Sequence, residues 1–211
     1  MSEITLTAEA RKTIQKALKF FSKEEFLAIV DEVFARQAPI VAGRIVKRKL
    51  SGDPLHRRTG QLARSVLGVG TRVGGVPAIR IGIVRQYGAA RYAGIQEYGT
   101  KGINPDSPYN TIKPKKAKSL AIPVGKATTR AGVSRYGSPR NYPGELHFRP
   151  KKRSNPNPHS IGGLFNEQGD LLYWLMSQVD IKPKWYLRDG LTENLPAILE
   201  ALKKRLEKSL A

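Results

Sequence analysis

The sequence contains no cysteine among its 211 residues, which excludes a disulfide framework and a thiolate metal site. It also lacks any apolar run near the roughly 18 residues that a membrane-spanning helix needs. Its first residues, "MSEITLTAEARKT", contain no apolar signal-peptide core. We therefore expect a protein that is neither secreted nor bound to a membrane.

Acidic residues are scarce. The chain has 37 Lys and Arg against 17 Asp and Glu, a formal net charge of +20, and such an imbalance predicts a polyanionic partner. The excess is concentrated in the middle, because residues 99–160 hold 13 basic and 2 acidic side chains while residues 161–211 hold 7 of each. This middle part is therefore the candidate region for contact with nucleic acid.

Two strings in this region, "KPKKAK" and "RPKKRS", are surrounded by Pro, Gly, Ser and Asn, residues typical of loops. We predict a long basic loop insertion at 125–165 within a single domain that covers residues 1–211. Lysine and arginine release counterions from phosphates without reading sequence, and a solvated charged face is the alternative for each cluster. The candidate DNA-facing residues are Lys113, Lys115, Lys116, Lys118, Arg149, Lys151, Lys152 and Arg153.

Helical patterns flank this region. Ser22 and Glu25 form a capping box before an amphipathic stripe, and Pro39 is expected to bend or break that helix. A weaker helix is expected to begin from Thr7, and a helix from about Trp185 to Leu210 is predicted at the carboxyl terminus. Short helices are predicted near Thr59 and in "AARYAGIQEYG", the latter ended by Gly99.

Strand patterns lie between the helices. The runs "LGVGTRV" and "VPAIRIGIV", separated by two glycines, predict a hairpin, and Ser119–Val124 and Leu171–Ile181 predict two further strands. The predicted class is α+β, with an antiparallel sheet of about four strands packed against long amino- and carboxyl-terminal helices.

Patterns for catalysis are missing. The three histidines are far apart and show no metal-ligand spacing. Glu97 and Asp106 are the carboxylates that a metal-dependent nuclease would use, but Glu97 falls at the predicted end of a short helix. The sequence therefore predicts no enzyme, no metal and no cofactor, and the alternative is a nonspecific nucleic-acid-binding or metal-dependent DNA-processing protein.

Four segments in a fixed order, "RRTGQLARSV", "ARYAGIQEYGTKG", "IKPKKAKSLAIPV" and "IKPKWYLRDGL", resemble the head-tail joining or tail-completion (neck) proteins of long-tailed bacteriophages. The likeness covers roughly residues 20–124 and 170–210, and it departs from the family pattern at 125–165 and at Lys184 and Trp185. The matching motif positions, to which the resemblance gives a structural role, are Arg58, Thr59, Gly60, Leu62, Ser65, Tyr92, Ala93, Glu97, Tyr98, Gly99, Thr100, Pro183, Trp185, Tyr186 and Leu187.

The resemblance implies a virion structural protein at the head-tail interface, assembled in the host cytoplasm. It implies a homo-oligomeric ring, expected to be a hexamer, around the channel through which genomic DNA passes. The implied partners are other copies of the chain, head-connector proteins, a tail terminator or tail tube protein, and the DNA. We expect Glu97 to cap its helix or to pair with Arg58 or Arg64, and the aromatic residues beside it to serve packing.

Overall fold

The computed structural model describes residues 8–51, 55, 60–84, 90–152 and 156–210. The chain divides into two compact units, and the single domain expected for residues 1–211 stays a prediction. The first unit comprises Met1–Leu55, Gln61–Ala90 and Trp185–Ala211, and the second comprises His56–Gly60 and Arg91–Lys184. Helices and antiparallel sheets are both present, which confirms the α+β class. Within the described ranges, no helix has the length and apolar character to cross a membrane.

The first unit is built on three helices, α1 (Ala8–Phe20), α2 (Lys23–Lys49) and α5 (Tyr186–Leu210). The Ser22 hydroxyl accepts from the Glu25 N–H, and the Glu25 carboxylate accepts from the Ser22 N–H, which confirms the capping box. The three helices bury one apolar cluster, formed by Ala17, Ile29, Val30, Val33, Leu202 and Leu206.

Helix α2 continues through Pro39, so of the two expected outcomes the break does not occur, and the bend stays a prediction. A proline inside a helix costs roughly 3 kcal/mol because it removes a hydrogen bond and crowds the preceding turn. Tertiary packing offsets this cost, since Ala38, Val41 and Ala42 beside the proline are buried.

A hairpin lies on α2. The short helix α3 (Gln61–Ser65) leads into β1 (Val66–Val73), which pairs with β2 (Val76–Ile83). Gly74 and Gly75 form the turn with φ of 56° and 81°, the left-handed backbone that a two-residue hairpin requires. The predicted hairpin is therefore confirmed.

The second unit contains the helix α4 (Ala90–Tyr98) and a four-stranded antiparallel sheet in the order β3-β6-β5-β4. These strands are β3 (Leu120–Pro123), β4 (His147–Pro150), β5 (Ser160–Phe165) and β6 (Leu171–Met176). Leu172 and Tyr173 of β6 are buried and form an apolar cluster with Ala127.

The structure differs from the predicted architecture in two respects. The strands that pack on the long helices are β1 and β2, whereas the four-stranded sheet belongs to the second unit. In addition, the predicted loop insertion at 125–165 contains β4 and β5. Strand pairing is favoured there because two consecutive glycines in β5 let β4 approach closely. A Cβ on Gly162 would lie 2.3 Å from the Arg149 carbonyl oxygen.

We predict that Gly68→Val destabilises the first unit. A Cβ at Gly68 would lie 2.0 Å from the carbonyl oxygen of Ala38 on α2, so β1 would have to move away from the helix at a cost of about 2–3 kcal/mol in unfolding free energy. Gly82 is the matched control, because no atom lies within 4 Å of its Cβ position. Chemical denaturation should show a change within about 0.5 kcal/mol for Gly82→Val. Equal losses for the two variants would contradict the close packing of β1 on α2.

Candidate functional site

The motif in α4 ends at a glycine that fits tightly against a distant part of the chain. Gly99 has a φ of 71°, which confirms the predicted helix-ending role. A Cβ at this position would lie 2.7 Å from both the Ile181 carbonyl oxygen and the Pro183 nitrogen. The next N–H, of Thr100, donates to the Ile181 carbonyl over 2.9 Å. Gly99 and Thr100 of the motif at 92–100 therefore contact Ile181 and Pro183 closely through backbone atoms.

A carboxylate lies beside this contact. Asp180 Oδ1 accepts hydrogen bonds from the hydroxyl of Thr111 at 2.6 Å and from the fully buried hydroxyl of Thr100 at 2.8 Å. The hydrogen bond from Thr111 is the largest cause of a lowered Asp180 pKa, and Thr100, His159 and the Gly102 N–H act in the same direction. Burial opposes them by disfavouring the charged form. We call Gly99, Thr100, Thr111, Asp180 and Pro183 the clasp.

The loop after α4 is closed by further hydrogen bonds. The buried Ser107 hydroxyl donates to the Gly99 carbonyl at 2.7 Å and accepts from the Tyr109 N–H at 3.1 Å. The Lys101 N–H donates to the Tyr109 carbonyl at 2.8 Å. These hydrogen bonds fix the loop within the unit, so the loop positions Gly99 and Thr100 of the clasp.

Asp180 is the residue that sequence reasoning missed. The sequence pattern places Asp180 only near the end of the predicted strand Leu171–Ile181. In the structure, β6 ends at Met176 and Asp180 follows it. The signal available in the sequence was its place three residues before Pro183 in "VDIKP". That string could not show that two threonines, about 70 and 80 residues away, supply the donors.

The remaining motif residues have different surroundings. Glu97 is buried at the end of α4, whereas Asp106 is exposed. Tyr92 and Tyr98 are also exposed, and the packing role expected beside Glu97 stays a prediction. In the first unit, Trp185 precedes α5 with a φ of 47°, and the Arg188 guanidinium lies 4.0 Å from its ring centroid. Trp185 therefore has a backbone conformation that a non-glycine residue rarely adopts.

Part of the predicted site lies outside the described residues. Arg58, Thr59 and Arg153 belong to this part, while Gly60 is described and has a φ of 75°. Arg64 belongs to the first unit and Glu97 to the second. The expected pairing of Glu97 with Arg58 or Arg64 stays a prediction.

The sheet brings the basic segments to one end. Leu120, at the start of β3, pairs with Met176, which in turn pairs with Ser160. Gly162 pairs with Pro150 at the end of β4. Paired residues lie side by side across a sheet. The segment before β3 and the segment after β4 therefore lie at the same end of the strands, which we call the cationic end. It carries the candidate residues Lys113, Lys115, Lys116, Lys118, Lys151 and Lys152.

The side chains of the cationic end are open to solvent. Lys113, Lys115, Lys116, Lys118 and Lys152 are exposed, and Lys151 is half-buried. Arg149 is also exposed, with its guanidinium 4.6 Å from the ring centroid of Phe165 on the sheet. In the part of the chain that the structure describes, no acidic side chain forms an ion pair with any of these residues. Their charge is therefore available to an anionic ligand.

A metal centre has no support in the described ranges, where no three His, Cys, Asp or Glu side chains come together in a way that could hold an ion. Glu97 and Asp106 are thus not joined there by the further ligands that a metal-dependent nuclease would use. The arrangement offers a partly buried, hydrogen-bonded clasp and a largely exposed cationic end, and the second of these is suited to binding.

Comparison with known proteins adds no relative. No protein-family model, curated protein or solved structure matches the chain.

We predict that Asp180→Asn lowers stability in a pH-dependent way. The pKa of Asp180 is lowered in the folded chain, so its stabilising contribution is present above the unfolded pKa of about 3.9 and is lost as pH falls through the folded value. The variant should lose about 1–3 kcal/mol of unfolding free energy near neutral pH. The difference from the wild type should shrink in acid below about pH 4.

Urea denaturation at a series of pH values measures this difference. Asp106→Asn is the control, since Asp106 is an exposed carboxylate of the same unit, and it should stay within about 0.5 kcal/mol of the wild type throughout. A loss for Asp180→Asn that is constant down to the most acidic point would contradict the role of the charged carboxylate.

Proposed function

We propose that the chain is a structural protein of the head-tail connection of a long-tailed bacteriophage, a tail-completion or neck protein. In this proposal it forms a ring of six subunits around the DNA channel, joins the tail tube to the head connector, and resides in the virion. It acts without catalysis and without a cofactor. The observation that carries the proposal is the clasp, in which two separate motifs of the resemblance contact each other.

The clasp supports the proposal because it gives these motifs a shared structural purpose. Gly99 and Thr100 come from the "EYGT" segment and Pro183 from the "KPKW" segment, and they pack through contacts that a larger residue at Gly99 would prevent. Motifs that set the fold, without a cluster of catalytic groups, are what a structural subunit requires.

Ring assembly has support in the first unit. A closed ring needs two different faces on each subunit, because each contact joins unlike surfaces. The outward face of the hairpin exposes Leu67, Val69, Val73 and Val76, and the end of α1 exposes Leu18 and Phe20. Exposed apolar groups on this scale favour association, and we propose that a second copy covers each of these faces.

The cationic end supports a surface that faces DNA. Mobile lysines bind phosphates without regard to sequence, and such contacts can be exchanged as DNA slides past. The same charge favours the second candidate function, a nonspecific nucleic-acid-binding protein that does not assemble. The two functions differ in whether the purified chain forms closed rings.

We predict that the chain forms rings that electron microscopy and native mass spectrometry detect, and that Val73→Asp with Val76→Asp reduces them to smaller species. The introduced carboxylates would have to lose water at an apolar contact, which costs several kcal/mol. Thr192→Asp, on the exposed side of α5, is the control for added charge and should leave assembly intact. A wild-type chain that is strictly monomeric, and absent from purified virions, would contradict the ring.

We predict that either of two triple variants weakens nonspecific binding to duplex DNA. The first combines Lys113→Ala, Lys115→Ala and Lys116→Ala, and the second combines Lys151→Ala, Lys152→Ala and Arg153→Ala. The salt dependence of binding should fall by about 0.9 in logarithmic slope for each phosphate contact that is lost. Ring assembly should not change.

The control removes the same charge from the first unit through the exposed residues Lys12, Lys16 and Lys19 of α1. Fluorescence anisotropy with a labelled duplex, over a salt series, measures each affinity. If the α1 variant and the cationic-end variants lose affinity equally, binding reflects net charge alone and the DNA-facing assignment fails.

A further inference from the structure

An apolar groove opens on the four-stranded sheet near the cationic end. It has a volume of about 380 Å³ and is lined by Ile122, Asn157, Ser160, Trp174, Met176 and Val179. Ile122 pairs with Trp174 across β3 and β6, so the two side chains lie on the same face of the sheet. Each is more than one third exposed. A tryptophan and an isoleucine open to solvent in a concave surface are typical of an anchor site for another molecule.

Cationic groups border this groove. The Lys151 ammonium donates to the carbonyl of Asn157, a lining residue, over 2.6 Å. Lys118 precedes Leu120 by two residues, and Leu120 pairs with the lining residue Met176. The groove therefore combines an apolar floor with a positive rim, which matches a ligand that carries an apolar group among negative charges.

Duplex DNA does not match this combination, because its phosphates are outside and its apolar bases are stacked within. A partner strand added along β3 is also disfavoured. The Val124 N–H donates to the Leu172 carbonyl, so the backbone N–H groups of alternate residues of β3 point to β6. The backbone groups of the residues between them, Ala121 and Pro123, point to the open edge of the sheet. Pro123 has no N–H to donate, which blunts this edge. A side-chain anchor is the remaining mode of attachment.

We propose that this groove binds an acidic segment of a partner protein, which inserts one large apolar side chain against Trp174 while its carboxylates meet Lys118 and Lys151. The inference goes beyond the proposed function, since a groove of this chemistry binds such a segment whether or not the chain forms a ring. It also differs in the residues that it requires, because Trp174 and Ile122 have no part in nonspecific binding to duplex phosphates.

The test uses a short, fluorescein-labelled synthetic peptide with one phenylalanine flanked on both sides by aspartates and glutamates. Its affinity for the full-length chain is measured by fluorescence anisotropy. A second peptide with alanine in place of the phenylalanine isolates the anchor, and labelled oligothymidine serves as the single-stranded nucleic-acid probe. We expect the phenylalanine peptide to bind at least about tenfold more tightly than the alanine peptide.

Two variants test the groove itself. Trp174→Ala removes the floor of the groove. Ile122→Glu adds a negative charge that repels the acidic peptide, and the fold should tolerate it because Ile122 is an exposed residue of an edge strand. Both should weaken the phenylalanine peptide by about tenfold or more. Phe148→Ala, an exposed aromatic residue of β4 on the same unit, is the matched control and should change the affinity less than about twofold. Circular dichroism checks that each variant is folded.

Three results would overturn the inference. Equal binding of the two peptides would show that charge alone attracts them. Unchanged peptide affinity in Ile122→Glu and Trp174→Ala would place the binding elsewhere. Tight binding of oligothymidine that depends on Trp174, with no competition from the peptide, would make the groove a base-stacking site instead. None of these results bears on ring formation, which the hairpin variants test separately.

Discussion

The absence of a side chain at two glycines is the constraint on which both units depend. At Gly68 the backbone of β1 comes so close to α2 that a Cβ would overlap the Ala38 carbonyl, and at Gly99 a Cβ would lie 2.7 Å from Ile181 and Pro183. The first contact lets a two-stranded hairpin, marginal on its own, pack against α2. The second brings Thr100 within hydrogen-bonding distance of Asp180. Each unit thus uses one close backbone contact to fix elements that are distant in sequence.

The clasp and the cationic end have opposite physical characters, which suits different tasks. In the clasp, the Asp180 carboxylate accepts hydrogen bonds from two hydroxyl groups, which favour its charged form. These hydrogen bonds stabilise the fold. At the cationic end, the lysines are exposed except for the half-buried Lys151, and none has an acidic partner among the described residues, so their charge acts outward. The groove beside them adds an apolar component that phosphates do not need. The second unit therefore offers one surface with two kinds of attraction, in keeping with a subunit that meets more than one partner.

Local patterns were reliable where the interaction is local. The capping box at Ser22, the turn at Gly74 and Gly75, and the helix ended by Gly99 were predicted from the sequence and are confirmed, because each depends on residues within a few positions. Helix α2 does not break at Pro39, because packing within the unit outweighs the local cost of the proline. The strands β4 and β5 were missed because glycine, proline and basic residues hide a strand whose partner lies outside the local pattern.

The sequence by itself determined the α+β class, the positions of most helices and strands, and the excess of positive charge in the middle of the chain. It also predicted that Gly99 ends α4, and Gly99 has the left-handed backbone conformation that this role requires. Only the tertiary structure decided that the hairpin and the later strands belong to different units, and that Asp180 joins Thr100 and Thr111. It alone gathered the two lysine segments at one end of a sheet beside Trp174. Strand order and long-range hydrogen bonds depend on which distant surfaces pack together, and neighbouring residues in a sequence do not encode that choice.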